Sequence, residues 1–355
     1  MEVIVIKPFK LYLMGILSIG ILIVSHNKVN AETNTQKMDF EIESVVSQYQ
    51  VDKTKRFFDL ALDPGKKEVL RMRIHNFSDK KITVHSDLRN AYTQMGGSIN
   101  FGTKSADVSQ DNTEGIIRDK AHVISKIGSV DKNSRVINLD PDESKVVTAT
   151  IRMPEERTRG MIYGSWHFIE YVKDTGKNRS SVSGNYAYNM AINLHGSPYK
   201  VYPELKYVKT EPIIKAGHPA MGIMLNNVEP MAINRAEVKA VIQKDGLFNS
   251  KRIFEASDRP IAPNSRLTIP ISWGYDTMKP GKYTIKVAVK GQNLWNGLPM
   301  TWNFHETFTV KSKDVKSINA HSLKKPVNKW TYVATASGVL MLMSFAAVYK
   351  VIRVS

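Results

Sequence analysis

The chain has 355 residues, with 50 Lys and Arg against 33 Asp and Glu, a formal net charge of +17, and no cysteine. The missing cysteines exclude disulfides, thiol nucleophiles and Cys-ligated metals. The positive field favours anionic neighbours such as phosphate polymers, acidic lipid headgroups or nucleic acid, and the length suits two domains with accessory segments.

At the start, Lys7 and Lys10 form a basic segment ahead of an apolar run, Leu11 to Val24, and Val29-Asn30-Ala31 supplies small residues at a cleavage point. Residues 1–31 therefore read as a signal peptide, with an uncleaved anchor as the alternative. From Arg56 to Val84 the chain keeps a period of two. Phe58, Leu60 and Leu62 fall on one side and Phe57, Asp59, Ala61 and Asp63 on the other. Asp63-Pro64-Gly65-Lys66 then turns, Leu70, Met72 and Ile74 alternate with charged residues, and Ile82 and Val84 resume the apolar set. A helix could not hold these on one face, and the pattern predicts an antiparallel sheet packed on one side.

Residues 90–101 read as a loop or wide hairpin, 103–115 as a polar excursion, and 121–126 as either a short helix or a strand. The same grammar returns at Leu139 to Met153, where Val147, Ala149, Ile151 and Met153 share a side. In Gly160 to Tyr171, Ile162, Gly164, Trp166 and Phe168 oppose Tyr163, Ser165, His167 and Ile169. Tyr186 to Leu194 completes a first domain, 32–195. His195-Gly196-Ser197-Pro198 breaks the pattern, and a second β-rich unit follows over 200–312. In it Ala236 to Ile242 fits a strand or a short helix, and Pro280-Gly281 repeats the turn. Many short, punctuated strands predict an all-β chain of two tandem immunoglobulin-like sandwiches. Residues 313–329 read as a Lys-rich stalk. Trp330 to Tyr349 carries no charge and reads as a transmembrane helix with Trp330, Tyr332 and Tyr349 at the interfaces, leaving 350–355 as a cytoplasmic tail.

Nothing in the residue pattern points to chemistry. The nine histidines show no metal-binding spacing, and G-x-S-x-G and phosphate-cradling glycine loops are absent from the sequence. No catalytic residue, metal or cofactor is expected. A cell-wall hydrolase or transferase with an unrecognised site is the alternative. A eukaryotic type I receptor, with Asn76 and Asn178 as glycosylation acceptors, is disfavoured by the lack of cysteine. Aromatic rings near polar loops suit sugar faces, and Leu294 to Trp302 offers Trp295, Leu298 and Trp302 as an exposed patch for a protein partner.

Phe57-Phe58-Asp59-Leu60 with Pro64-Gly65, the Ala91-Tyr92-Thr93 to Phe101 loop, Pro154 with Gly160 and Gly164, and Ala262-Pro263-Asn264-Ser265 with Pro280-Gly281-Lys282-Tyr283 together resemble the WxL-interacting proteins of Gram-positive surfaces. The family pattern has Asn at the position of Gln94 and Tyr at that of Phe101. The resemblance implies a peptidoglycan-binding first domain, with Tyr92, Thr93, Gln94, Phe101 and Tyr163 as glycan-binding candidates. It also implies a second domain that binds host extracellular proteins, and a complex with WxL-domain surface proteins. No nucleic-acid partner is implied. The ectodomain would lie outside a single-pass anchor, its charge attracted to teichoic acids and an anionic membrane.

Overall fold

The alternation at 56–84 folds as strands, but the three strands do not share a sheet. In a computed structural model of the chain, which describes residues 39–101, 123–171, 186–246, 251–324 and 329–354, the first half forms β1 (Phe40–Val45), β2 (Phe58–Ala61), β3 (Lys67–Asn76), β4 (Ile82–Asn90), a small hairpin β5 (Tyr92–Thr93) and β6 (Ile99–Asn100), helix α1 (Ile124–Ile127), β7 (Gly128–Val130), β8 (Val136–Leu139), β9 (Ser144–Arg152), β10 (Met161–Glu170) and β11 (Tyr186–His195). One sheet runs β1-β3-β9-β7 and the other β2-β11-β10-β4-β8. Strands β2 and β4 thus lie in one layer and β3 in the other. β2 also pairs parallel to β11, Phe58 opposite Ile192 and Leu60 opposite Leu194. Period two fixes which face of a strand is buried; it does not fix the neighbour.

The inward sets meet in one core. Leu70, Met72, Ile74, Val147, Ala149 and Ile151 face Phe58, Leu60, Val84, Trp166, Phe168 and Leu194 across it, each Val, Leu, Ile, Met or Phe side chain contributing roughly 1.5–3 kcal/mol by leaving water. Trp166 donates its indole N–H to Ser86 Oγ at 3.1 Å, so the buried ring keeps a polar partner. Gly65 sits at φ +73, and Lys66 N–H donates to Asp63 O at 3.1 Å, the closure expected of the Pro-Gly turn. β10 is buried on both faces, Ser165 and His167 included; over part of its outer side lies Phe101, whose carbonyl accepts from Ser165. The undecided stretch near 124 is a single helical turn leading into β7. Asn76 is fully buried and donates to the Lys80 and Asp140 carbonyls, so its sequence motif is a structural corner and no glycan acceptor.

The second half forms β12 (Leu205–Lys215), β13 (His218–Asn227), β14 (Ile233–Lys244), β15 (Lys251–Ala256), β16 (Ser265–Ser272), β17 (Gly281–Asn293) and β18 (Pro299–Val310). Sheets β12-β13-β16 and β15-β14-β17-β18 enclose a second core that includes Met221, Ile223, Val238, Ile269, Val287 and Trp302. The ambiguous Ala236–Ile242 is strand.

The stretch expected to be a stalk is instead partly docked. Helix α2 (Ser312–His321) buries Val315 in the second core, and Asn319 bonds both the N–H and the carbonyl of Met278 at 3.0 Å. Val315 and Asn319, four apart, share a helix face that the surrounding lysines mask in the sequence. The C-terminal run is helical as α3 (Lys329–Val354), 26 residues long. Yet among the described residues no helix is long and apolar enough to cross a membrane. Thr335, Ser337, Gly338 and Ser344 dilute the apolar run, and Lys350 and Arg353 close it. Of the three interfacial aromatics, the side chain of Tyr349 is described and is exposed. The expected signal peptide, the polar excursion at 103–115 and Asn178 lie outside the described residues.

Candidate binding site at the domain junction

Two sets of contacts join the halves. The first is made by the loop carrying β5 and β6, whose tip passes through three successive left-handed residues, Gly96 (φ +83), Gly97 (φ +98) and Ser98 (φ +83). This conformation brings the backbone flat against the second half. Gly96 N–H donates to Thr268 O at 2.8 Å and Ser98 N–H to Pro260 O at 3.0 Å. A Cβ on Gly97 would stand 2.6 Å from Arg259 Cβ, so only glycine fits. Thr93 is buried; its Oγ1 accepts from Ala262 N–H at 2.9 Å and bonds Ser265 Oγ. The Tyr92–Phe101 loop and Ala262-Pro263-Asn264-Ser265, remote in sequence, are therefore two halves of one clasp. Of the glycan-binding candidates, Thr93 is consumed in this clasp, Gln94 lies exposed at its hairpin, and Tyr92 and Phe101 are half-buried along it.

The second set surrounds a void. Parallel pairing of β2 with β11 and antiparallel pairing of β11 with β10 place Asp59, Asn193 and Tyr163 in one cross-strand row on the outer face of their sheet. His195 and Met161 lie in the next row. Opposite them stands the β17–β18 turn of the second half. Buried Asn293 holds that turn: its Oδ1 accepts from Trp295 N–H at 3.0 Å, and its amide donates at 3.1 Å to Val201 O in the linker between the domains. Gly160 N–H donates to Ser197 O at 2.8 Å and Met161 N–H to Pro230 O at 2.7 Å, while Met161, Val201 and Met231 form a small core of their own. Gly160 sits at φ +68, and a Cβ there would fall inside the Pro230 carbonyl. Between these walls lies a cavity of about 380 Å³, lined by Asp59, Tyr163, Asn193 and His195 from the first half and Met231 and Trp295 from the second.

Its electrostatics are nearly self-contained. Asp59 is buried, which opposes ionisation. Hydrogen bonds from Lys55 Nζ at 2.7 Å and His195 Nε2 at 2.5 Å outweigh that burial and hold the carboxyl below its usual range. Burial, and then the Asp59 charge, push the Tyr163 phenol up, so it remains a neutral hydroxyl whose own donation goes to Met161 Sδ at 3.4 Å. The Tyr163 ring packs against Phe101 with centroids 6.1 Å apart. Asn193 Oδ1 is buried and has no hydrogen-bond partner among the described residues. The row is able to bind and orient. Among the described residues no cluster of three or more acidic or histidine side chains could hold a metal.

Tyr163 is thus the one glycan-binding candidate on the cavity. Among the partner-binding candidates, Trp295 is 42% exposed and Leu298 48% exposed, both on the turn, whereas Trp302 points into the second core opposite Val289. Asp59, Asn193 and His195 were missed as site residues. Their outward parity was readable in each strand; their gathering was not.

The family model described as WxL Interacting Protein, peptidoglycan binding domain, matches residues 40–170, and that of the host binding domain matches residues 177–320. The chain belongs to the WxL-interacting protein family. In this WxL-interacting protein the second core lies wholly within the second matched segment, whereas the first core draws Ile192 and Leu194, and the cavity Asn193 and His195, from that same segment; the clasp joins the two segments. Among solved structures it is similar to the YadV chaperone (10% identity, TM-score 0.30, 76% of this chain and 100% of that one) and the class 5 fimbriae chaperone CfaA (11%, 0.31, 74% and 98%). It is also similar to the E. coli chaperone DraB (15%, 0.26, 72% and 95%). Comparison with curated proteins gives no match.

Proposed function

We propose that this WxL-interacting protein is a non-catalytic cell-surface binding protein that holds peptidoglycan with its first domain and engages WxL-domain surface proteins and host proteins with its second. The observation that carries this reading is the pair of consecutive family matches, over 40–170 and 177–320, on one mostly-β chain. Each half is read as an immunoglobulin-like sandwich. Retention at the outer face of the membrane belongs to the same proposal. It is supported by the basic and apolar N-terminal segment and by the exposed Leu340, Leu342 and Phe345 of α3, which favour lipid or an apolar partner over water.

Two measurements test it. The purified chain is expected to sediment with isolated peptidoglycan sacculi, releasing no soluble wall fragments, and as bait to retain WxL-domain proteins. A protein that stays in the supernatant, or that liberates fragments, contradicts the first half of the proposal. In fractionated cells the chain is expected with the membranes and open to added protease; recovery with the soluble interior contradicts the location.

A further inference from the structure

We infer that the junction cavity is a glycan subsite for an N-acetylated amino sugar, and that it is complete only when the second domain supplies its Trp295 wall. This rests on the proposed peptidoglycan reading and deepens it. A cavity of about 380 Å³ falls in the range of small-molecule sites, and its surfaces divide as an acetamido sugar does. Trp295 and Tyr163 line it with aromatic rings, one reachable from solvent and one held neutral in the wall; such rings suit the C–H faces of a sugar. Met161, backed by the fully buried Met231, gives the cavity an apolar wall that suits a methyl group. Asn193 Oδ1 lacks a donor, and a buried acceptor left empty is unfavourable. An acetamide N–H or a ring hydroxyl supplies that donor.

Charge points the same way. The carboxylate of Asp59 already receives Lys55 and His195, so the cavity holds a compensated cluster and has no free charge with which to select an ion. A purely apolar ligand would leave Asn193 unmet. A neutral molecule with both a donor and a methyl meets every wall.

Calorimetric titration of the full chain tests this, using tri-N-acetylchitotriose against cellotriose, which keeps the ring and lacks the acetamide. Chitotriose is expected to bind and cellotriose to fail. Trp295→Ala is expected to weaken chitotriose by about tenfold or more and Asn193→Leu by about fivefold, while Ile253→Ala, exposed on β15 and not among the residues that line the cavity, leaves it within twofold. Equal binding of both trisaccharides, or unchanged affinity in Trp295→Ala and Asn193→Leu, overturns the subsite. Sedimentation of the same proteins with sacculi separates the two levels. Wild type that pellets together with both variants, undiminished, sinks the subsite and leaves the proposed function standing, whereas wild type that does not pellet sinks both. A GlcNAc–MurNAc disaccharide that outbinds N-acetyllactosamine assigns the ligand to the wall, and the reverse order assigns it to host glycans; either order supports acetamide recognition.

Discussion

The clasp and the cavity are two regions of one interface, and they differ in what their polar groups do. In the clasp, Thr93, Gly96 and Ser98 each find a partner in the other domain, Gly97 removes the side chain that would strike Arg259, and both glycines accept the left-handed backbone. Around the cavity, Asn193 presents an unmet acceptor and Trp295 stays open to solvent. A surface whose hydrogen bonds close on themselves is fixing geometry. One whose bonds remain open beside an aromatic wall is prepared for a ligand.

Four changes would break or sharpen that contrast, beginning with the largest. Gly160→Ala forces a Cβ into the Pro230 carbonyl from a left-handed backbone and is expected to cost about 3 kcal/mol or more. It should appear as a lower urea midpoint and faster proteolysis of residues 196–204. Thr93→Val leaves Ala262 N–H without its buried acceptor, while Ser265 Oγ keeps its bond to Ala262 O, an expected loss of about 1–3 kcal/mol by the same urea measurement.

Asp59 gives a pH signature on the cavity side. Because its folded pKa is depressed, its contribution is fully present above the usual carboxylate range and disappears as pH falls through the folded value. The stability difference between wild type and Asp59→Asn is therefore expected to be constant above about pH 5 and to shrink below about pH 4, read from denaturation midpoints across that range. A difference that grows on acidification would show that the sign is wrong. Gln94→Ala, at the exposed tip of the clasp, is expected to move stability by no more than about 0.5 kcal/mol.

Much of this fold was legible from residue parity alone. Leu70, Met72 and Ile74, or Val147, Ala149 and Ile151, announce their buried faces because a strand repeats every two residues. Trp302 was legible by the same rule: it shares parity with Met300 and sits across from Val289, so grouping it with Trp295 ignored the turn between them. The assignment of β2, β3 and β4 to layers was not legible, since pairing partners are chosen by contacts far away in sequence. The helix at 312–321 was hidden because a single buried valine and one asparagine dock it, amid lysines that read as solvated. The site suffered the same limit more severely. Asp59 and Asn193 each looked like an ordinary surface residue of its own strand, and Trp295 like part of a separate patch for a protein partner; only the junction brings them around one void. The loop 92–101 drew attention for its aromatics and glycines, yet those glycines serve the other domain.

The most direct test is a crystal structure of the chain with tri-N-acetylchitotriose. The account predicts one acetamido sugar in the junction cavity, its N–H or hydroxyl on Asn193 Oδ1, its methyl toward Met161 and Met231, and its ring against Trp295. Sugar bound on another face of the first domain, with the cavity empty, would contradict it.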